Sequence, residues 1–435
     1  MRHDTALSLL GQRQSRSARQ FLGPLEPPGR HSGTPRSLYI HVPFCFHKCH
    51  YCDFYSLVDT RDRQEAFTSR LIAELAALAR HAPATPLQTI FVGGGTPTLL
   101  KPDLLRCLLE AMARLFDLSA MGDGPGEWTF ECNPETATPE LMGILRSGGV
   151  NRISIGAQSF DPRHLKTLER WHNPENVARA VEMARLAGIH RQSVDLIFAI
   201  PGQTLDDWRT DLARALDLGT THLSCYSLTY EPNTAMTARM KRGEFAPIDE
   251  DLEVDMHALT LDLLRGAGFE RYEVSNYAKL PSPRGPADHR SQHNLAYWRQ
   301  DPWLAAGPSA SGHLAGYRWK NAPRLDDYLG SNDDGYAPVA DVEAPDPRRA
   351  LAERIMTGLR ILEGIDLPGV LDEASKLAAS GLAHSDARAR LTSVRDRCVA
   401  EGLVTGSPDR LVLTDEGFML ADGIAAEFMA CLDRE

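Results

Sequence analysis

From Ser37 onward, short runs of β-forming residues alternate with amphipathic helical stretches, and this alternation restricts the chain to folds built on a parallel sheet. The candidate strands are Leu38 to Val42, Thr89 to Val92, Trp128 to Cys132, Arg152 to Ile155, Ser193 to Phe198 and His222 to Ser227. Between them, Phe67, Leu71, Leu75 and Leu78 form one apolar helical stripe, and Thr138 with Pro139 supplies an N-cap and first turn. Thr204 opens another helix, which Gly219 ends. Six such units predict an α/β fold with a partial (β/α)6 barrel, although periodicity alone does not separate that from an open doubly wound sheet.

A chain of 435 residues calls for more than one unit. Residues 1–36 carry arginines among Ser, Gly and Pro and read as a disordered basic tail. Its composition faintly resembles a mitochondrial presequence, but four prolines break any long helix. Residues 37–235 are the barrel core. Residues 236–340 hold a helix over Leu252 to Leu264, a strand-like Arg271 to Val274 and a proline-rich loop, and are expected to cover the barrel mouth. Residues 341–435 form a small winged-helix-like α+β unit: helices around Ala350 to Leu362 and Ala387 to Val399, and a hairpin turning near Gly406 to Asp409. No basic recognition helix stands out there, so a packing or lid role is favoured over DNA binding.

An apolar fraction of 43% is enough to bury a sizeable core. The formal charge of −11 argues against a nucleic-acid partner, since phosphate neutralisation needs clustered Lys and Arg. With no stretch near the ~18 apolar residues of a membrane span and no secretory signal, a soluble cytoplasmic protein is expected.

Eight cysteines are unevenly placed. Cys107 and Cys398 sit in helical apolar patterns and read as core residues. Cys45, Cys49 and Cys52, spaced CxxxCxxC directly after the first strand, read as a metal site. Three thiolates on one loop can bind three irons of a 4Fe-4S cubane and leave the fourth without a protein ligand, open to the amino and carboxylate groups of S-adenosylmethionine (SAM). Spacing alone leaves a second reading open, a zinc site that recruits His47 or His50.

The run from Tyr39 through Pro43-Phe44-Cys45 to Cys52-Asp53-Phe54 closely resembles the radical SAM superfamily. The branch is the one that holds the oxygen-independent coproporphyrinogen oxidase HemN and the heme chaperone HemW. The resemblance continues through Gly93-Gly-Gly-Thr96, Glu131-Cys-Asn133-Pro134, Gly156-Ala-Gln158, Asp195-Leu-Ile-Phe and Pro201-Gly-Gln-Thr204. It implies that Gly94 and Gly95 admit the methionine part of SAM, that Thr96 supplies a hydroxyl, and that Glu131 and Asp195 accept hydrogen bonds from ribose or ammonium. Gln158 then serves the ribose, Arg170 a carboxylate of SAM or a propionate, and Tyr39 and Tyr51 match positions that contact SAM.

Within that branch, the oxidases carry a further cysteine where this chain has Phe54, which puts oxidase activity in doubt. His293-Asn-Leu-Ala-Tyr297-Trp298 matches the HNxxYW motif of the HemW heme chaperones, with His293 as axial ligand and Tyr297 and Trp298 as flat apolar surface. Ser291 stands where many members have a cysteine, and Ser311 follows Ala310 where a histidine is common. The implied function is a heme chaperone that binds a 4Fe-4S cluster, SAM and heme, and passes heme to an acceptor such as a respiratory hemoprotein, with peripheral membrane association through that acceptor. The alternative is a radical SAM enzyme, coproporphyrinogen oxidase-like or a two-SAM methylase.

Overall fold

A computed structural model describes residues 16–25, 33–82, 85–279, 288–330 and 334–433. Six parallel strands form its centre: β1 (Ser37–Val42), β2 (Thr89–Gly94), β3 (Glu127–Cys132), β4 (Arg152–Gln158), β5 (Arg191–Phe198) and β6 (His222–Ser227). They lie side by side in chain order, as a singly wound barrel requires and a doubly wound sheet does not. Among the described residues each edge is extended. Trp303–Ala306 pairs parallel to β1 and leads into the antiparallel strands Ser311–Leu314, Tyr317–Asn321 and Pro338–Glu343. On the far side Asn276–Lys279 pairs antiparallel to β6 and to Phe269–Glu273.

Strand side chains alternate between faces, so each barrel strand splits into two sets. Leu38, Ile40 and Val42 of β1, Ile90 and Val92 of β2, and Trp128 and Phe130 of β3 are buried against helices such as Gln64–Leu78, whose Phe67, Leu71 and Leu75 face them. At about 25 cal/mol per Å² of buried apolar surface, this outer layer is what holds the helices to the sheet. The other set, including Tyr39, His41, Thr129, Glu131, Ser154, Asp195 and Ser224, is largely polar and turns to the concave side. Burying polar groups is costly unless they are hydrogen-bonded, so a lining of this kind either pairs with itself or serves a ligand.

Three expectations are corrected. Residues 16–25 are not a free tail: Arg16–Ser17 pairs with Pro338–Val339, and Ala18 and Leu22 are buried in the main core. Burial of these two side chains offsets the ordering of a short segment. Cys107 is exposed, because Leu105, Leu108, Leu109 and Met112 occupy the inward face of the helix Pro102–Leu115. The segment following β6 does not simply cover one mouth. The helix Ala235–Lys241 docks on the cysteine loop through the Met236 N–H donating to the His50 carbonyl (2.8 Å). The helix Gln292–Trp298 instead closes the opposite end, against Thr89 and Glu127, the first residues of β2 and β3.

The C-terminal unit has its own core of Leu351, Ile355, Val370, Leu391, Leu411, Phe418 and Phe428. Its helices Pro347–Gly358, Leu367–Ala379 and Ala387–Ala400 precede a hairpin-like return in which Val404 bridges Leu413. Arg265 and Arg271 from the barrel side both donate to Asp415 of this unit. Among the described residues, no helix is long and apolar enough to cross a membrane.

Candidate functional site

The cysteine loop leaves β1 at the C-terminal end of the barrel, where parallel barrels assemble their sites. It is pinned by backbone bonds: Cys45 N–H to the Leu57 carbonyl (2.9 Å), Leu57 N–H to Pro43 (2.8 Å) and His50 N–H to Leu168 (3.2 Å). The Thr96 hydroxyl donates to Cys45 Sγ and the Arg170 guanidinium to Cys49 Sγ, both at 3.7 Å. Burial pushes the Cys45 thiol up and the Cys52 thiol up to about 11. Left alone, these thiols keep their protons at neutral pH, whereas a bound metal draws them off.

The spread of the sulfurs bears on which metal fits. Tetrahedral zinc with Zn–S bonds of about 2.3 Å needs sulfurs roughly 3.8 Å apart. Among the described residues, the only trio of ligand atoms lying mutually within 4.8 Å is Asp161, His164 and Asp207, not the three cysteines. A guanidinium already serves that trio, since Arg163 donates to Asp161 (2.6 Å) and Asp207 (2.7 Å). A cubane asks less of the sulfurs' mutual spacing, since each thiolate binds its own corner iron.

Beside the cysteines lies a cavity of about 480 Å³. Cys45, Cys49, Tyr51 and Cys52 line one side, Gly94, Gly95 and Thr96 another, and Glu131, Gln158, Arg170 and Asp195 the rest. The glycines are dictated by contact. A Cβ on Gly95 would lie 2.6 Å from the Phe44 carbonyl oxygen, and Gly94, at φ +106°, would drive a Cβ into the His41 ring at 2.4 Å. Their N–H groups knit the strand ends: Gly95 to Val42 O (2.8 Å), and Gly94 to Glu131 Oε2 (3.0 Å). Burial, and then the nearby Asp195, push the Glu131 carboxyl up to about 7. Asp195 accepts from Ser224 Oγ (2.7 Å), Ser154 Oγ (2.9 Å) and Ser193 Oγ (3.2 Å), yet burial still raises its carboxyl. Two buried carboxylates with incomplete charge compensation make a receptor for a cation with hydrogen-bond donors, as the ammonium and ribose of SAM would be. Gln158 is held at φ +64°, unusual outside glycine, beside Arg170, whose Nη2 donates to the Gly156 carbonyl (3.0 Å).

Tyr39 does not line this cavity. It stands one layer below, its hydroxyl 3.1 Å from His41 Nδ1, while His41 Nε2 meets the Tyr55 carbonyl (2.7 Å). The HNxxYW motif lies lower still. His293 is 1% exposed, with its ring against Phe91 (5.4 Å) and Tyr297 (4.6 Å). Its Nδ1 lies 2.8 Å from Thr89 Oγ1, which itself donates to Ser37 Oγ, so Nδ1 carries the proton and Nε2 the lone pair. Nε2 is buried without a hydrogen-bond partner, and burial holds the imidazole neutral by lowering its pKa to about 4. A neutral imidazole with an orphaned lone pair suits an iron ligand, although the ring is enclosed in this packing. Trp298 turns away from His293 and packs with Tyr272, Leu295 and Ile361, under Arg360.

The comparisons with known proteins fit this site. The family model of the radical SAM superfamily matches residues 39–215. Curated relatives called heme chaperone HemW include one from Mycobacterium tuberculosis, 34% identical over 92% of this chain and 97% of that protein. Another, from Lactococcus lactis, is 32% identical over 91% of this chain and 97% of the relative. The chain belongs to the HemW family. Among solved structures, coproporphyrinogen III oxidase HemN from Escherichia coli superposes with a TM-score of 0.78 at 20% identity, over 98% of this chain and 96% of that one, which establishes a common fold. Membership of the radical SAM superfamily implies a 4Fe-4S cluster and SAM as cofactors.

The structure thus gathers Cys45, Cys49, Cys52, Tyr51, Gly94, Gly95, Thr96, Glu131, Gln158, Arg170 and Asp195 around one cavity. It sets Tyr39, His293 and Tyr297 apart in the barrel interior, and Trp298 on another face. Sequence reasoning passed over Ser154, Ser193 and Ser224, which hold Asp195, and Glu127, which holds the HNxxYW helix. The signal was available: within these strands polar residues alternate with apolar ones although both faces are buried.

Proposed function

We propose that this HemW-family protein is a heme chaperone: it binds heme with His293 as iron ligand and passes it to an acceptor hemoprotein, in the company of a SAM-bound 4Fe-4S cluster. The single observation that carries this reading is the orphaned, neutral Nε2 of His293, oriented by Thr89 inside a HemW-type motif. Cys45, Cys49 and Cys52 would hold the cluster, Glu131 and Asp195 the cationic and ribose groups of SAM, and Tyr51 the adenine. When bound, cluster and SAM supply one-electron chemistry at the barrel mouth. Arg170 adds a cation beside the thiolates, and Thr96 a hydrogen bond to one of them.

Phe54, 61% exposed at the cavity mouth, stands where the oxidases have a further cysteine, which favours carrying heme over oxidising a porphyrinogen. A respiratory acceptor would bring the chaperone to a membrane surface through that partner. The test is heme titration of anaerobically reconstituted protein. The reading expects a heme spectrum that His293→Ala alters, and no substrate-dependent 5′-deoxyadenosine with coproporphyrinogen III. Absence of heme binding, or an unchanged spectrum in His293→Ala, overturns it.

A further inference from the structure

Behind Asp195 runs a chain of buried hydrogen bonds. Ser193 Oγ on β5 lies 3.2 Å from Asp195 Oδ1 and 2.7 Å from Nδ1 of His222 on β6. His222 Nε2 lies 2.8 Å from the Tyr272 hydroxyl, which accepts from the Ser291 N–H at 3.0 Å. Ser193, His222, Tyr272 and Ser291 are all buried, and none of them borders the cavity that Asp195 lines. Ser291 is the N-cap of the helix Gln292–Trp298, so the far end of the chain is anchored on a regular element.

Both ends dictate the direction of the chain. A backbone N–H can only donate, so the Ser291 N–H takes a lone pair of Tyr272 Oη and leaves the phenol proton for His222 Nε2. A carboxylate can only accept, so the Ser193 proton goes to Asp195, and Ser193 Oγ is left to receive the hydrogen on His222 Nδ1. The two arguments give the same tautomer, with hydrogen on Nδ1 and the lone pair on Nε2. Burial, and then Arg152 and Arg191, keep the imidazole neutral, as this tautomer requires. In the other tautomer the Ser193 hydroxyl would turn to Nδ1, and Asp195 would lose one of its serine donors.

Those donors determine what Asp195 offers. Oδ1 accepts from Ser224 (2.7 Å), Ser154 (3.1 Å) and Ser193 (3.2 Å), whereas Oδ2 accepts from Ser154 (2.9 Å) and, among the described residues, keeps the larger free capacity for a ligand. Burial pushes the Asp195 carboxyl up, and the serine hydroxyls act against it by favouring the charged form.

We propose that His222 and Tyr272 are positioning residues for SAM: by fixing the Ser193 hydroxyl on Asp195 they hold that carboxylate charged and in one orientation, without touching the ligand. The proposal rests on the assignment of Asp195 to SAM given above. The test is SAM affinity, by equilibrium dialysis of cluster-loaded protein, in Tyr272→Phe, His222→Leu and His222→Gln, with Asp195→Asn as the reference. The His222 tautomer is read in parallel from nitrogen NMR shifts of histidine-labelled protein. Expected are an affinity lowered about threefold to tenfold in Tyr272→Phe and His222→Leu, in line with one neutral hydrogen bond, and hydrogen on Nδ1 of His222 in the unsubstituted protein. His222→Gln should recover the affinity, because its amide can accept from Tyr272 and donate to Ser193 as the ring does; a merely loosened fold would not be rescued in this way. Unchanged affinity in Tyr272→Phe, an equal loss in His222→Gln and His222→Leu, or hydrogen on Nε2 overturns the positioning role while leaving the SAM site in place. Should His222→Leu fail to fold, Tyr272→Phe and the tautomer decide. If Asp195→Asn binds SAM as the unsubstituted protein does, the assignment of Asp195 falls, and this proposal with it.

Discussion

Removing the Glu127 carboxylate tests how the N-terminal end of the barrel is held shut. Glu127 is fully buried and accepts from Arg191 Nη2 (2.9 Å), the Gln292 N–H (3.0 Å) and the His293 N–H (3.2 Å). Burial opposes its charge, but Arg152 and Arg191 together with those N–H groups bring its pKa below the usual value. Glu127→Ala strands the buried Arg152 and the partly buried Arg191 and leaves the first turn of the helix without an acceptor. Breaking one partner of a buried ion pair costs about 3–5 kcal/mol. Glu127→Gln keeps an acceptor oxygen and loses only the charge, so about 1–3 kcal/mol is expected. Because the folded-state pKa is depressed, the stabilisation is complete above the unfolded carboxyl value of 4.5 and is lost as pH falls through the depressed value. Urea unfolding at pH 7, followed by near-UV and far-UV circular dichroism, should show the midpoint falling in the order wild type, Gln, Ala at constant slope. An Ala variant within about 0.5 kcal/mol of wild type would refute the reasoning, since that is the scatter of neutral surface changes.

Three further outcomes follow from the cysteine-side cavity. Gly94→Ala must place a Cβ against His41 at positive φ, a strain of about 1–3 kcal/mol, and should weaken SAM binding about tenfold or more in equilibrium dialysis of cluster-loaded protein. Glu131, raised to about 7 in the cofactor-free fold, contributes stability below the unfolded value of 4.5 that is lost as pH rises through about 7; Glu131→Gln should flatten this dependence in pH-resolved thermal melts. The same protonation should weaken SAM binding as pH drops below about 7, measured by calorimetry. Cys49→Ser should abolish the iron and inorganic sulfide taken up on anaerobic reconstitution, whereas a zinc site would bind neither sulfide nor iron in the unsubstituted protein.

The six barrel strands were legible because their outward residues, such as Leu38-Ile40-Val42 and Trp128-Phe130, give short apolar signals between clear helix starts. Their inner ends were less so. Glu127 and Arg191 extend β3 and β5 by charged residues whose partners lie on other strands and on the helix Gln292–Trp298, and no local pattern announces such pairing. Trp303–Ala306 went unseen for a similar reason: a four-residue strand is defined by its parallel neighbour β1 rather than by its own periodicity. The cysteine loop and its glycines were readable from spacing and family motif, since close backbone approach leaves glycine little alternative. The placement of His293 was not, because HNxxYW states a composition, while the burial of its ring depends on Thr89 and Phe91, about 200 residues upstream.

Heme transfer from loaded protein to an apo-hemoprotein, followed anaerobically in the Soret region with SAM and coproporphyrinogen III present, tests the central claim most directly. The account predicts that heme moves to the acceptor, that His293→Ala fails to deliver it, and that coproporphyrinogen III is not consumed. Consumption of coproporphyrinogen III with matching 5′-deoxyadenosine, and no heme delivered, would contradict it.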